Sequence, residues 1–168
     1  MIKRIFDIFF SFLGLILLTP LLITLSLMIK VSSNGPVFFL QERVGRRKKI
    51  FKIIKFRTMY VDAKSRSTIS VKNDCRVTKL GAFLRKYKLD ELPELINVLI
   101  GEMSIVGPRP DVVGYADQLV GDSSNILELR PGITGPASLK YSNEEGILSD
   151  KYDPKTYNDK VIYPDKVR

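Results

Sequence analysis

The residues of this chain best suited to chemistry are Asp90 and Glu91, adjacent acids at the head of an apolar run, and Arg109, set between Pro108 and Pro110 a little further on. Leu92, Leu95, Ile96 and Leu99 recur at helical spacing, so the stretch reads as a helix with Asp90 as its N-cap and Pro93 in the first turn, where a missing N–H is harmless. Acids at a helix start are favoured by the macrodipole, and capping alone accounts for an isolated Asp-Glu pair. Neighbours on a helix point apart, which excludes the opposed carboxylates of a glycosidase. With Asp90 at the cap and Glu91 inside, both acids can reach one divalent cation, and an aspartate can attack phosphorus.

Composition narrows the chemistry further. The 168 residues contain no His, which removes Ser-His-Asp and Cys-His nucleophilic catalysis, the imidazole base and most zinc sites. The single cysteine, Cys75, excludes an internal disulfide and fits a reducing compartment. What remains is chemistry by carboxylates, Lys, Arg, Tyr or a hard metal. A net charge of +9 favours anionic partners: nucleic acid, phospholipid headgroups or nucleotide phosphates. The length suits one domain with a modest core.

Two elements must position these groups. Residues 5–29 are almost wholly apolar and of membrane length, too long for a secretory signal and without a small-x-small site before Lys30. A straight transmembrane helix is one reading. The other is a helix broken at Thr19-Pro20 that enters and leaves by the same face. Pro20 lacks an N–H and its ring crowds the Ile16 carbonyl, while the Thr19 hydroxyl can satisfy a freed carbonyl. Lys3 and Arg4 precede the run and Lys30 follows it, so both ends prefer the cytoplasm. Asp7, one turn from the basic end, is expected at the interface beside Lys3 or Arg4, with no chemical role.

Past the turn-forming residues 32–36, residues 37–41 and 50–56 read as two strands joined around Gly45, a β-hairpin. Its basic residues Arg43, Arg46, Arg47, Lys48 and Lys49 form a solvated tip or, beside a membrane, a headgroup-binding one worth about 1 kcal/mol per well-placed cation. Lys55 and Arg57 follow, Arg57 able to fork onto a phosphate. By themselves, Arg109 reads as a turn residue and Arg85 as a helix-surface cation.

Phe38-Phe39, Gln41-Glu42-Arg43-Val44-Gly45, Lys55-Phe56-Arg57-Thr58-Met59, Leu89-Asp90-Glu91-Leu92-Pro93, Gly107-Pro108-Arg109-Pro110 and Arg130-Pro131-Gly132-Ile133-Thr134-Gly135 follow one another in this order. Together, over residues 3–135, they resemble the small monotopic phosphoglycosyl transferases, the bacterial sugar transferase family. Several motifs in register are far more specific than any one of them.

The resemblance implies transfer of a phosphosugar from a UDP-sugar to polyprenyl (undecaprenyl) phosphate, with release of UMP and a requirement for Mg²⁺. This is the first membrane step of a bacterial glycoconjugate pathway, at the cytoplasmic face of the inner membrane. It implies a ping-pong route with Asp90 as the nucleophile that carries a covalent phosphosugar, and Glu91 beside it at the metal. A carboxylate and a diphosphate repel, so the cation must neutralise the approach. Arg109, pre-aimed by its two prolines, then grips phosphate, with Lys55, Arg57 and Arg85 as further phosphate-binding candidates. Relatives break their membrane helix at a Ser-Pro, and Thr19-Pro20 keeps the hydroxyl.

The fold expected is α+β: a mostly helical monotopic membrane protein with a re-entrant helix over residues 1–30, then a cytoplasmic catalytic domain over 31–168 carrying a small antiparallel hairpin. Membrane phospholipids are expected partners and nucleic acid is not, since no nucleic-acid motif is present. The rival reading is a non-catalytic basic membrane-surface adaptor in which Asp90 only caps. Two departures stand out. Relatives carry Arg in a stretch such as Lys-Tyr-Arg-Asn-Glu-Glu, where this chain has Lys140-Tyr141-Ser142-Asn143-Glu144-Glu145. A phosphate contact is therefore expected to be lost there, with Lys140 as a substitute or activity reduced. Relatives also continue into a further helical segment, so a shortened C-terminal part is expected. Neither the sugar nor the oligomeric state is legible.

Overall fold

The computed structural model describes residues 2–61 and 74–167. It is mostly helical with a small antiparallel strand pair. The chain opens with α1 (Ile2–Ser32), then the hairpin β1 (Phe38–Val44) and β2 (Ile50–Phe56), then α2 (Lys79–Lys86), α3 (Glu94–Ile100) and β3 (Ser104–Val106). After short 3-10 segments come β4 (Gly132–Thr134), parallel to β3, and the short helices α4 (Pro136–Lys140), α5 (Glu144–Ser149), α6 (Pro154–Tyr157) and α7 (Tyr163–Lys166).

Helix α1 is long and apolar, with one face on the protein and the rest uncovered. Asp7, Ser11, Leu25 and Ile29 are buried, at spacings that keep one stripe in register, while Phe9, Leu17 and Leu27 are more than half exposed. Leu25 and Ile29 share a core with Phe56 of β2 and Leu84 of α2, and Leu95 of α3 lies against Gly14. The folded part therefore lies along α1 rather than at one end of it. The break expected at Thr19-Pro20 does not interrupt the helical assignment. Pro20 removes a single backbone donor, and the Thr19 and Thr24 hydroxyls donate to the carbonyls of Leu15 (2.7 Å) and Pro20 (2.8 Å).

The expectation for Asp7 is corrected. Its carboxylate is buried and accepts from the Ser104 hydroxyl (3.0 and 2.9 Å) and the Ile105 N–H (3.1 Å), tying α1 to β3. The basic residues thought to accompany it serve elsewhere. Arg4 donates to the carbonyls of Val98 (2.6 Å) and Leu99 (2.8 Å) in the last turn of α3, and Lys3 to that of Val106 (2.8 Å). Those orphan helix-end carbonyls gain both a hydrogen bond and a cation.

The hairpin forms as its alternation predicts, in a register running from Phe38↔Phe56 to Val44↔Ile50, with β1 extending three residues beyond Gln41. Its tip is folded onto the 3-10 segments, not held out. Arg46 donates to the Glu128 carbonyl (2.8 Å), Lys48 to those of Asp117 (2.9 Å) and Leu119 (3.2 Å), and Arg47 pairs with Glu128 (3.2 Å). The three side chains stay exposed, as the solvated-tip reading expects.

The helix that follows Asp90 also starts later than its sequence suggests. Lys88 adopts a left-handed conformation (φ 56°), Leu89–Glu91 forms a 3-10 turn, and Pro93 stands at the N-cap of α3. Asp90 is thus not the cap. The deepest face of α3 is Glu94, Asn97 and Val98, while Leu92, Leu95, Ile96 and Leu99 are half-buried. Asn97 goes inward because the β2 backbone there needs partners: it accepts from Ile54 N–H (3.0 Å) and donates to the Lys52 carbonyl (2.8 Å). Val98 joins Phe51, Ile53 and Met103 in a second core that fastens α3 to β2.

Candidate active site

The elements above converge on an open cleft of ≈ 1440 Å³. β2 delivers Lys55 and the 3-10 turn delivers Asp90 and Glu91. α2 contributes Arg85, and the proline-bounded loop after β3 contributes Arg109. Strand alternation explains the first of these, since Phe56 faces the core and its neighbour Lys55 must face the other way. The Arg109 loop is held by backbone pairing. Gly107 N–H donates to the Thr134 carbonyl (2.9 Å) and Gly132 N–H to the Pro108 carbonyl (2.8 Å), an approach so close that a Cβ on Gly107 or Gly132 would overlap the facing backbone.

At the centre, one oxygen of Glu91 meets two cations. Its Oε1 lies 2.7 Å from Lys55 Nζ and 2.8 Å from Arg109 Nη2, and Lys55 also reaches Glu94 Oε1 at 3.1 Å. Burial acts upward on the Glu91 carboxyl, but Lys55 and Arg109 together overcome it and hold it at about 2. Glu94 is the reverse: burial, aided by the Glu91 charge, outweighs Lys55 and pushes it to about 7. Burial also pushes the Asp90 carboxyl up, against the pull of Lys55. Asp90 Oδ1 is buried with no hydrogen-bond partner.

That orphaned oxygen is the observation against which a metal can be tested. A buried carboxylate oxygen with no donor lacks a cation, and Mg²⁺ is commonly held by one or two carboxylates with substrate phosphates completing the shell. Asp90 and Glu91 fit this donor set, Glu91 with Oε1 already shared between cations. Among the described residues no three acids cluster as a cage, so substrate oxygens would have to supply the remaining ligands.

Of the expected phosphate-binding residues, the structure brings Lys55, Arg85 and Arg109 to the cleft and draws Arg57 away. The Arg57 guanidinium is buried and donates to the carbonyls of Asn34 (2.6 Å) and Ser33 (2.6 Å) and to the Ser33 hydroxyl (2.9 Å), closing the turn after α1. Arg85 lines the cleft with Nε on the Thr58 hydroxyl (2.9 Å). Ser142 lines the C-terminal wall, whereas Lys140 is turned to Asp165 (2.6 Å) and does not take up the vacant role. Thr19 and Pro20 lie in α1, outside the cleft lining. Sequence reasoning missed Glu94, although its place one turn beyond Glu91 was a signal. It also missed Arg43 as a cleft residue and Asp111, which tertiary packing alone brings there.

The chain that carries this cleft is a sugar-phosphate transferase, a member of the bacterial sugar transferase family, whose profile matches residues 1–162. It is 47% identical over 144 residues to a putative undecaprenyl-phosphate N-acetylgalactosaminyl 1-phosphate transferase of Bacillus subtilis, covering 85% of this chain and 79% of that one. It is 44% identical over 147 residues to the exopolysaccharide production protein PSS of Rhizobium leguminosarum, covering 83% and 74%. A third relative is the UDP-glucose:undecaprenyl-phosphate glucose-1-phosphate transferase of Escherichia coli, 46% identical over 143 residues, 83% of this chain but 31% of that longer protein.

Proposed function

We propose that this enzyme transfers a phosphosugar from a UDP-sugar to undecaprenyl phosphate at the cytoplasmic face of the inner membrane, through a covalent phosphosugar on Asp90. The observation that carries the reading is the unpartnered, buried Asp90 Oδ1 beside a Glu91 whose Oε1 is held by Lys55 and Arg109. The names of the relatives supply the acceptor and the nucleotide-sugar donor class.

In the first half-reaction an Asp90 carboxylate oxygen attacks the sugar-bearing phosphorus. The bond from that phosphorus to the bridging oxygen breaks, and UMP leaves with the electron pair. In the second, a phosphate oxygen of the lipid attacks the same phosphorus, the Asp90 ester bond breaks, and the carboxylate is restored. Lys55 and Arg109 are pre-set by Glu91, so donor phosphates meet cations that need no reordering. Held by Asp90 and Glu91, Mg²⁺ would screen carboxylate from diphosphate and stabilise the leaving UMP.

The shape of α1 supports the membrane reading. Its buried stripe runs from Asp7 to Ile29 and its other faces are apolar and exposed, which suits a bilayer lying beside the domain along the helix. A straight span would push polar surface of the folded part into hydrocarbon, at several kcal/mol for each unsatisfied group. A monotopic, re-entrant placement avoids this and keeps both basic ends at the cytoplasmic surface.

Purified protein incubated with a panel of UDP-sugars, undecaprenyl phosphate and Mg²⁺ is expected to release UMP, and Asp90→Asn is expected to release none. UMP formation that survives Asp90→Asn would overturn the covalent route. The absence of UMP with every donor would favour the adaptor reading.

A further inference from the structure

Beyond Arg109 the cleft continues into a wall whose polar atoms lack partners. Arg43 spends its two Nη groups on the Pro110 carbonyl (3.1 Å) and Gln41 Oε1 (2.6 Å), yet its Nε is buried without an acceptor. The Ser138 hydroxyl is likewise buried and unbonded, and the buried Tyr163 hydroxyl has Asp111 as its one nearby acceptor. All three residues line the cleft, as does Asp111, two positions after Arg109. Tyr115 packs edge-on against the Tyr163 ring, 5.1 Å between centroids, which holds that ring in place.

Unpaired buried polar groups are costly, and native proteins keep few of them without an occupant. Here donors and an acceptor line one cleft: a guanidinium N–H and a phenol beside the Asp111 carboxylate, and the Ser138 hydroxyl in the same lining. Asp111 is the acceptor beside the Tyr163 hydroxyl, and burial pushes its carboxyl up to about 6 even though Lys166, Arg43 and Arg109 pull the other way. Burial and the nearby Asp111 push the Tyr163 phenol up as well, so it remains a proton donor at neutral pH. An additional anion would be repelled by Asp111, whereas a neutral group bearing several hydroxyls can use every one of these atoms.

We propose that Arg43, Asp111, Ser138 and Tyr163 form the subsite that recognises a hydroxyl-rich ring of the donor, adjoining the phosphate grip at Arg109. The inference rests on the UDP-sugar reading above. Two rings of such a donor carry vicinal hydroxyls, the transferred sugar and the ribose, and the chemistry of the wall suits both.

The test uses Tyr163→Phe and Ser138→Ala, which each delete one hydroxyl, in the full-length chain in detergent or nanodiscs. Binding of UMP and of a panel of UDP-sugars is measured by calorimetry, steady-state kinetics on the best donor, and thermal unfolding alongside. The expected result is an unchanged or higher Tm, about tenfold weaker donor binding, and a raised KM with kcat largely kept. Weakening shared by UMP assigns the wall to the ribose, and weakening confined to UDP-sugars assigns it to the sugar. Unchanged binding in both variants, with a parent that binds and turns over UDP-sugars, overturns the subsite alone. A fall in Tm with unchanged binding makes the hydroxyls structural and overturns it too. A parent that binds no UDP-sugar overturns the subsite together with the function on which it rests.

Discussion

Lys55 Nζ stands 2.7 Å from Glu91 Oε1, in a pair whose side chains are 14% and 11% exposed. The contact joins the edge of a two-stranded hairpin to a 3-10 turn thirty-six residues later, and it holds Glu91 ionised beside an Asp90 that burial pushes toward its neutral form. Two adjacent acids thereby receive opposite electrostatic treatment, and a cation beside Asp90 would be needed to favour its carboxylate form.

Glu91→Gln should uncouple this arrangement. Lys55 and Arg109 lose the negative charge they share, and UMP formation is expected to fall by about 10²–10³-fold, the cost typical of removing one preorganised charge contact. Steady-state UMP release at saturating Mg²⁺ measures it. An unchanged rate would show that Glu91 only holds structure.

Lys55→Met tests the same pair through stability. Deleting one partner of a buried ion pair leaves Glu91 with Arg109 alone and Glu94 with no cation, at a cost of about 3 kcal/mol. Adding Glu94→Gln should restore part of the loss, because the second uncompensated acid is then gone. Denaturant unfolding of the two variants reads both effects.

Glu94 gives the fold a pH dependence of definite sign. Its carboxyl is at about 7 in the folded protein against an ordinary 4.5, so the folded state holds a proton that the unfolded state has already released. The stability contributed by the neutral form is complete below about pH 4.5 and is lost as pH rises through about 7. Glu91, at about 2, works oppositely, its contribution present above 4.5 and lost as pH falls toward 2, outside this window. Tm measured between pH 5 and 8 should therefore decline in the parent and decline less steeply in Glu94→Gln, where Asp111 still contributes a slope of the same sign. A parallel slope in both would refute the assignment.

Gly107→Ala should disable the enzyme without touching a charged group. The added Cβ overlaps the Arg130 carbonyl, so β3 and β4 must separate and the Arg109 loop moves with them. Displacements near 1 Å at a positioning residue cost about 10²-fold in rate. The expected signature is a large loss of kcat/KM with a smaller fall in Tm.

Asp7→Ala removes the acceptor for Ser104 and Ile105 at a site with almost no solvent. Leaving those donors unsatisfied should lower stability by about 1–3 kcal/mol. Limited proteolysis between α1 and the folded part is expected to accelerate, and no change would mean that apolar contacts alone hold α1.

Much of this protein was legible before any fold was known. The absence of His, the Asp90-Glu91 pair and the proline-bounded Arg109 narrowed the chemistry, the order of the motifs carried the resemblance to the sugar transferase family, and two strand-like runs around Gly45 placed the hairpin. These are local features: residue type, spacing and backbone preference act over a few positions, and a linear reading contains them whole.

What only the tertiary structure decided are the partners of long-range charges. Arg57 reads in sequence like Lys55, yet one packs into a turn and the other faces the cleft, because β2 ends at Phe56 and the carbonyls of Ser33 and Asn34 hold the Arg57 guanidinium just beyond it. Asp7 became a strap for β3, the tip cations went to 3-10 carbonyls, and Asp90 lost its capping role once Lys88 turned left-handed. Glu94 became a half-neutral acid only when burial met a lysine shared with Glu91. The reason is physical. A charge's energy depends on its desolvation and on the few groups within several ångströms, and for these residues those groups lie tens of positions away along the chain.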